Sequence, residues 1–164
     1  MVKIAVSIGS NIERERSLRG ALVALREAFG KVVVSPVYES PAYGFEGPDF
    51  YNLIVVFETA LDVYAVRDVI QEIEVREGRA RSKKRFDSRA LDLDLLLYAD
   101  AVLYDAGFDI PRCEILEHDY VLKPLADLLP EVRHPVTGES YGQIWAQFEH
   151  KSSALSLVTG LHLG

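Results

Sequence analysis

Two aspartates spaced i, i+2, Asp92 and Asp94, follow directly on a dense run of cations. Between Arg76 and Arg89 stand seven Lys/Arg (Arg76, Arg79, Arg81, Lys83, Lys84, Arg85, Arg89) against two acids, Glu77 and Asp87, in a chain whose net charge is −7. A local reversal of sign of this kind marks a place where an anion docks. The aspartates lie in LDLDLLLY, a strand pattern that puts Leu91, Leu93, Leu95 and Leu97 on one face and Asp92 and Asp94 on the other. At a strand rise of about 3.3–3.4 Å their Cα atoms stand roughly 7 Å apart. Two carboxylates on one strand face, beside a cluster of cations, suit a polyphosphate held together with Mg²⁺. Each half alone has a plainer reading, a solvated loop for the basic run and a solvated outer face for the acids. The combination is harder to dismiss, because Leu96 turns the polar face apolar after Asp94. The carboxylates are then expected at one end of a mostly buried strand, where a metal or the neighbouring arginines must compensate them.

The rest of the chain supplies the elements that position this site. Val2 to Ile8 reads as a buried strand closed by the turn signal Gly9-Ser10-Asn11. Leu18, Leu22, Leu25 and Phe29 then recur at helical spacing, with Gly30 as the stop. Val32 to Glu39 is strand-like, and Pro36 within it signals an edge or a bulge. A breaker-rich loop follows from Ser40 to Phe50, with the composition of a binding loop. Tyr51 to Thr59 is a further strand. Asp62 is placed to cap a second helix whose stripe is Val63, Val66, Ile70 and Ile73, with Gly78 at its end. Leu91 to Tyr98 is the fourth strand. The order is βαββαβ, so the fold class is α+β: a ferredoxin-like antiparallel sheet with helices on one face. C-terminal additions follow, namely a short strand pair near Val102–Tyr104 and Gly107–Ile110, and helices around Val121–Leu128 and Tyr141–Phe148. We expect one domain over residues 1–150 and a weakly patterned, poorly ordered tail over 151–164.

Composition narrows the function classes. The length of 164 residues and hydrophobic content of 49% fit a globular domain with a substantial core. The acid excess argues against general nucleic-acid binding, which rests on broad phosphate neutralisation. The single cysteine, Cys113, forms no intrachain disulfide and indicates a reducing compartment. With no signal-peptide pattern and no membrane-length apolar run, the expected location is the cytoplasm, without membrane contact. Cys113 is read as incidental rather than as a nucleophile.

With these pieces in place the chain resembles the 6-hydroxymethyl-7,8-dihydropterin pyrophosphokinases, the folate-pathway family abbreviated HPPK. Four segments carry the likeness: SIGSN at Ser7–Asn11, YESPAYGFEGPDFYN at Tyr38–Asn52, QEIEVREGRARSKKRFDSRALDLDLLL at Gln71–Leu97, and VLKPLADLLPEVRHP at Val121–Pro135. The third contains the family pattern R-x-x-D-x-D at Arg89, Asp92 and Asp94. The resemblance implies pyrophosphoryl transfer from ATP to the pterin hydroxymethyl oxygen by attack at the β-phosphorus, releasing AMP. It implies Asp92 and Asp94 as ligands of two Mg²⁺ ions, and catalytic roles for Arg79, Arg89, Asp92 and Asp94. Nucleotide contacts fall on Gln71, Glu74, Arg79, Arg81, Phe86, Arg89 and the backbone of Leu95. For the pterin it implies a sandwich between Phe50 and Tyr120, with Asn52 at the ring edge and backbone groups around Ser40, Pro41 and Tyr43. A flat heteroaromatic ring does need two stacking faces and an in-plane polar partner. The loops Tyr43–Gly47 and Arg79–Ser88 are expected to close over the substrates. A monomer is expected, with a dimer left open.

Departures from the family pattern lie near Pro111. A His usual in that segment is replaced by Arg112, and an arginine a few residues later by His118. Arg112 is a candidate phosphate contact, whereas His118 and His134 are read as surface or structural residues. Gly107 and Asp109 stand where a basic and a hydroxyl residue are common. The general base is left open between Asp94 and metal polarisation of the hydroxyl. Two other readings compete: a ferredoxin-like module that binds a ligand or RNA without catalysis, and a homologue that binds pterin or nucleotide without turnover. The strands LDLDLLLY and YNLIVVFET lack the exposed aromatics and basic face of an RNA-binding sheet.

Overall fold

A computed structural model describes residues 1–43, 46–79, 91–148 and 154–163, with Arg79 through its backbone alone. In chain order the elements are β1 (Val2–Ser10), α1 (Arg14–Phe29), β2 (Val32–Val34), β3 (Val37–Ser40), β4 (Phe50–Thr59), α2 (Val63–Arg79) and β5 (Asp92–Tyr98). A 3-10 turn (Cys113–Leu116), α3 (Asp119–Leu128), α4 (Tyr141–Gln147) and β6 (Ser156–Val158) complete them. The sheet runs β5-β1-β4-β3-β6, with β2 also on β4, and every pairing is antiparallel. The βαββαβ order expected from the sequence is present.

The strand expected over Val32–Glu39 is split at Ser35-Pro36. Pro36 has no N–H for the ladder, and Ser35 keeps the contact with β4 in its place. Its N–H donates to the Ile54 carbonyl (2.9 Å) and its Oγ accepts the Ile54 N–H (2.8 Å). Helix α1 buries Leu18, Ala21, Leu22 and Leu25 and ends at Gly30, whose φ of 81° is one that a Cβ disfavours. Asp62 caps α2 by accepting the Ala65 N–H at 2.8 Å. That helix continues through Gly78 to Arg79, so Gly78 is not its stop.

Alternation along the strands sends side chains to two cores. Ile4, Val6 and Ile8 of β1, with Leu53, Val55 and Phe57 of β4, pack with α1 and α2. Ala5, Ile54 and Val56 face the other way, onto α3 and α4. Helices therefore cover both faces of the sheet; the one-face arrangement holds for α1 and α2, and the C-terminal third covers the reverse side. The β1–β5 register shifts between Ala5 and Val6, which pair with Leu97 and Leu95. Leu96 is the extra residue of this bulge. As a result Leu91, Leu93 and Leu95 join the first core, while Leu96 and Leu97 both join the second. The expectation that Leu97 shares a face with Leu91, Leu93 and Leu95 fails at this bulge.

Past β5, the expected strand pair is a single bridge between Leu103 and Ile110. Helix α4 opens with a capping box between Ser140 and Gln143. The segment expected to be a poorly ordered tail supplies β6, which pairs with β3 from Val37↔Val158 to Glu39↔Ser156. Leu161 and Leu163 pack on the first core, and Arg19 donates to the His162 carbonyl. Among the described residues, no helix is long and apolar enough to cross a membrane.

Candidate active site

The antiparallel register brings three positions into one row across the sheet. Gly9 of β1 pairs with Asn52 of β4 on one side and Asp92 of β5 on the other. One row deeper, Ser7 pairs with Ile54 and Asp94. Directly paired residues share a face, so Asn52, Asp92 and Asp94 lie on the face covered by α3 and α4. Asn52 and Asp92 stand two strand spacings, about 10 Å, apart. Gly9 between them carries no side chain, which leaves the floor open.

A cavity of about 370 Å³ rises from this floor, walled by Ser40 at the end of β3, Pro41 and Tyr43 just after it, Phe50 at the start of β4, and Tyr120 on α3. The structure thus brings together all six residues expected to hold the pterin with both expected metal ligands. Asn52 is buried and its amide is fixed: Nδ2 donates to Ser40 Oγ (2.8 Å) and to the Tyr38 carbonyl (3.2 Å). With both amide hydrogens held by β3, its Oδ1 is the acceptor left for a ring edge. Tyr38 also reaches outward, its hydroxyl donating to Asp127 on α3 at 2.5 Å, which ties the two cavity walls. Burial, then the neighbouring Glu114, Tyr43, Asp119 and Asp94, push the Tyr120 phenol above its ordinary range, so it is a neutral hydroxyl. The SIGSN turn anchors the loop between β3 and β4. Asn11 Nδ2 donates to the Pro48 carbonyl (3.1 Å), and Arg14 bonds the Asp49 carbonyl and Glu39 and lies over the Tyr51 ring.

Asp92 is half-buried, and the Asp94 side chain is 40% exposed, so the carboxylates are more open than a buried strand end implies. Arg112 stands beside them, Nη1 lying 3.9 Å from Asp94 Oδ1. Its Nε and Nη2 donate to the two oxygens of Glu114 at 2.9 and 2.6 Å. These bonds to Glu114 hold the guanidinium well above its ordinary pKa against the opposing effect of burial, with Asp94 adding to them. Arg112 is committed to carboxylates here rather than open toward an anion. The oxygen donors suit Mg²⁺, which is held by one or two carboxylates together with substrate phosphates rather than by a closed protein cage. Among the described residues no group of three or more His, Cys, Asp or Glu forms such a cage.

Of the residues expected on the nucleotide side, Gln71, Glu74 and Leu95 lie off the cavity. Glu74 of α2 accepts the Leu93 N–H at 2.7 Å, on the side of β5 away from β1. Leu95, two residues on, presents its backbone along the same edge, and Gln71 is exposed on α2. Arg81, Phe86, Arg89 and the Arg79 side chain lie outside the described residues, as does part of each loop expected to close.

Among the cavity residues that the sequence reading did not assign to the site are Gly9, Glu114 and His118. His118, expected at the surface or in a structural role, has its ring on Tyr120 (centroids 4.9 Å apart, 15° between planes) and edge-on to Tyr43 (4.6 Å, 61°). His134 is buried, its Nδ1 accepting the N–H groups of Val136 and Thr137. Cys113 is exposed, and partial burial with Asp109 pushes its thiol up to about 11, so it is no thiolate nucleophile at neutral pH.

Known proteins are similar to this chain. A curated 2-amino-4-hydroxy-6-hydroxymethyldihydropteridine pyrophosphokinase from Pseudomonas aeruginosa is 34% identical over 140 residues, 81% of this chain and 84% of that protein. The folic acid synthesis protein of Schizosaccharomyces pombe is 36% identical over 140 residues, 82% of this chain but 19% of that longer one. A Plasmodium falciparum HPPK-DHPS crystal structure superposes with a TM-score of 0.74 at 16% identity, covering 90% of this chain and 41% of its own, and so shares the fold. The family model described as 7,8-dihydro-6-hydroxymethylpterin-pyrophosphokinase matches residues 5–130, so the chain belongs to that family.

Proposed function

We propose that the cavity seats the pterin ring and that the adjoining β5 edge seats the nucleotide. The chain is a pyrophosphokinase of folate synthesis: it moves the terminal pyrophosphoryl group of ATP to the hydroxymethyl oxygen of 6-hydroxymethyl-7,8-dihydropterin, and AMP leaves. A new bond forms between that oxygen and the β-phosphorus, the bond from the β-phosphorus to the α-phosphate oxygen breaks, and the hydroxyl proton is released. The observation that carries this reading is the row Asn52–Gly9–Asp92. It sets a ring-edge acceptor and a metal-binding carboxylate about two strand spacings apart on a rigid sheet, with open floor between.

In this reading Phe50 and Tyr120 stack the ring, and Asn52 Oδ1 meets its donors, with Ser40, Pro41 and Tyr43 closing the wall. Asp92 and Asp94 would hold Mg²⁺, two ions by the family pattern, which when bound neutralises the triphosphate and polarises its oxygens. Arg79, Arg81 and Arg89 grip the phosphates, a task a planar, permanently charged guanidinium suits. Phe86, Gln71, Glu74 and the Leu95 backbone form the nucleotide side. Arg112 keeps Asp94 and Glu114 compensated, which supports a positioning role more than a direct phosphate contact. The protein acts as a single domain, as a monomer, in the cytoplasm.

The test is to mix the protein with MgATP and 6-hydroxymethyl-7,8-dihydropterin and identify the products. AMP formed in step with the pterin diphosphate supports the proposal. ADP places the attack at the wrong phosphorus, and tight binding of both substrates without turnover identifies a binding homologue instead.

A further inference from the structure

We propose that His118 is a substrate-positioning residue of this site, acting through its ring rather than its charge. Its ring bridges Tyr43 to Tyr120 and holds them as one aromatic wall. The inference rests on the cavity being the pterin site.

Three observations lead here. His118 occupies the N-cap of α3, a place normally given to Ser, Thr, Asp or Asn, yet its side chain makes no capping hydrogen bond. The local preference is broken, and the ring is turned into the cavity wall instead. There it lies nearly parallel to Tyr120, 4.9 Å away, and takes Tyr43 edge-on at 4.6 Å, both favoured aromatic geometries. Tyr43 is 69% exposed, an unusual setting for a tyrosine in a cavity wall, and it meets the ring of His118 edge-on. The loop is held at its far end by Asn11 and Arg14 and at its near end by the β3–β4 pairing. The His118 contact secures Tyr43 between those ends. Tyr120 is then backed by a ring that sets its tilt, and a flat heterocycle lies against a wall already in place, so less ordering is left to the moment of binding.

An aromatic pair contributes about 0.5–1.5 kcal/mol beyond burial, so losing the bridge predicts pterin binding roughly two- to tenfold weaker. The experiment compares His118→Ala, His118→Phe, Tyr43→Ala and the double alanine variant with the unaltered protein. The readouts are equilibrium binding of 6-hydroxymethyl-7,8-dihydropterin, KM for each substrate, kcat, and amide hydrogen exchange of residues 38–50 without ligand. His118→Ala is expected to raise Kd and KM for the pterin, leave kcat and KM for MgATP within about twofold, and speed exchange in the loop. His118→Phe restores most of the binding, and the double variant is no weaker than the worse single one. Unchanged exchange and binding in His118→Ala overturn the proposal. So does a Phe variant as weak as Ala, or full additivity with Tyr43→Ala. If the unaltered protein fails to bind the pterin, the functional reading falls by itself, while the exchange data still decide whether the ring bridge exists.

Discussion

Gly9→Ala separates folding from function at the floor of the cavity. Gly9 lies within β1 without a positive φ, and a Cβ there meets Asn52 Oδ1 at 3.5 Å, a Phe50 ring carbon at 3.7 Å and the Tyr51 carbonyl at 3.9 Å. All three are ordinary contact distances, so the methyl fits without moving a neighbour. Restricting the unfolded chain then stabilises the fold by about 0.4–1 kcal/mol, which for a chain of this size raises Tm by roughly 1–4 °C. The same methyl stands between Asn52 and Asp92, where the proposed ring and transferred group would lie. One misplaced methyl-sized group in a shaped site costs about 1–3 kcal/mol, so Kd for the pterin is expected to rise roughly 10- to 200-fold. Thermal unfolding and equilibrium binding of 6-hydroxymethyl-7,8-dihydropterin, measured on one preparation, read both effects. A stabilised variant that binds the pterin as tightly as the parent would show that the substrate does not cross this floor. A drop in Tm of several degrees would show that the contacts around Gly9 are tighter than described.

Asp92→Asn and Asp94→Asn should each lower Mg²⁺-dependent kcat by about 10²-fold or more, since several kcal/mol of transition-state charge stabilisation rest on the metal; parental turnover in either would refute the metal assignment. Tyr141 is fully buried and its hydroxyl has no hydrogen-bond partner among the described residues. Tyr141→Phe should therefore gain about 1 kcal/mol and a few degrees in Tm, and a clear loss would mean that the hydroxyl is satisfied. His134 is held below its ordinary value by burial, and a proton on its Nδ1 would face the N–H groups of Val136 and Thr137. Below pH 6.5 the unfolded chain takes up this proton first, so stability falls as pH drops from about 6.5 to the depressed folded value and is undiminished above about 6.5. His134→Asn keeps an acceptor without titrating and should flatten that acid loss in pH-dependent unfolding; an identical acid loss in the variant would assign the effect elsewhere.

Half-buried strands and an amphipathic helix declare themselves in sequence because burial on one side imposes a period. That is why β1, α1, β4 and α2 are legible, and why Asp92 and Asp94 read as sharing a face. The bulge at Leu96 leaves no such mark, since a run of leucines looks alike whichever way each one points. The strand β6 is equally silent. Its pattern is short and weak, and its pairing with β3 is fixed by a contact more than a hundred residues away. In the site, Asn52, Ser40 and Tyr120 carry recognisable chemistry. Gly9 contributes by lacking a side chain, which is a signal only when the neighbouring rows are known. Glu114 and His118 reach the cavity because the chain after β5 folds back, with the Arg112 N–H bonded to the Leu96 carbonyl and the 3-10 turn leading into α3. No local pattern encodes that return.

The placement of Arg112 bears on how an acidic protein admits a polyanion. Asp92, Asp94 and Glu114 all line the cavity, and three carboxylates in one cavity repel a triphosphate unless they are compensated. Arg112 compensates two of them at once, bidentate on Glu114 and 3.9 Å from Asp94. Its remaining donors face the carboxylate that would take the metal. Were Asp94 to hold a cation, one positive charge would replace another beside it, while Arg112 would stay paired with Glu114. A histidine at this position would be mostly neutral near pH 7 and would lack the fork that holds Glu114. Arg112, expected as a departure from the family pattern, therefore comes with a charge partner, Glu114, and the two are best altered together. Glu114→Gln alone frees Arg112 for the anion, whereas Arg112→Ala alone leaves two carboxylates facing the incoming nucleotide.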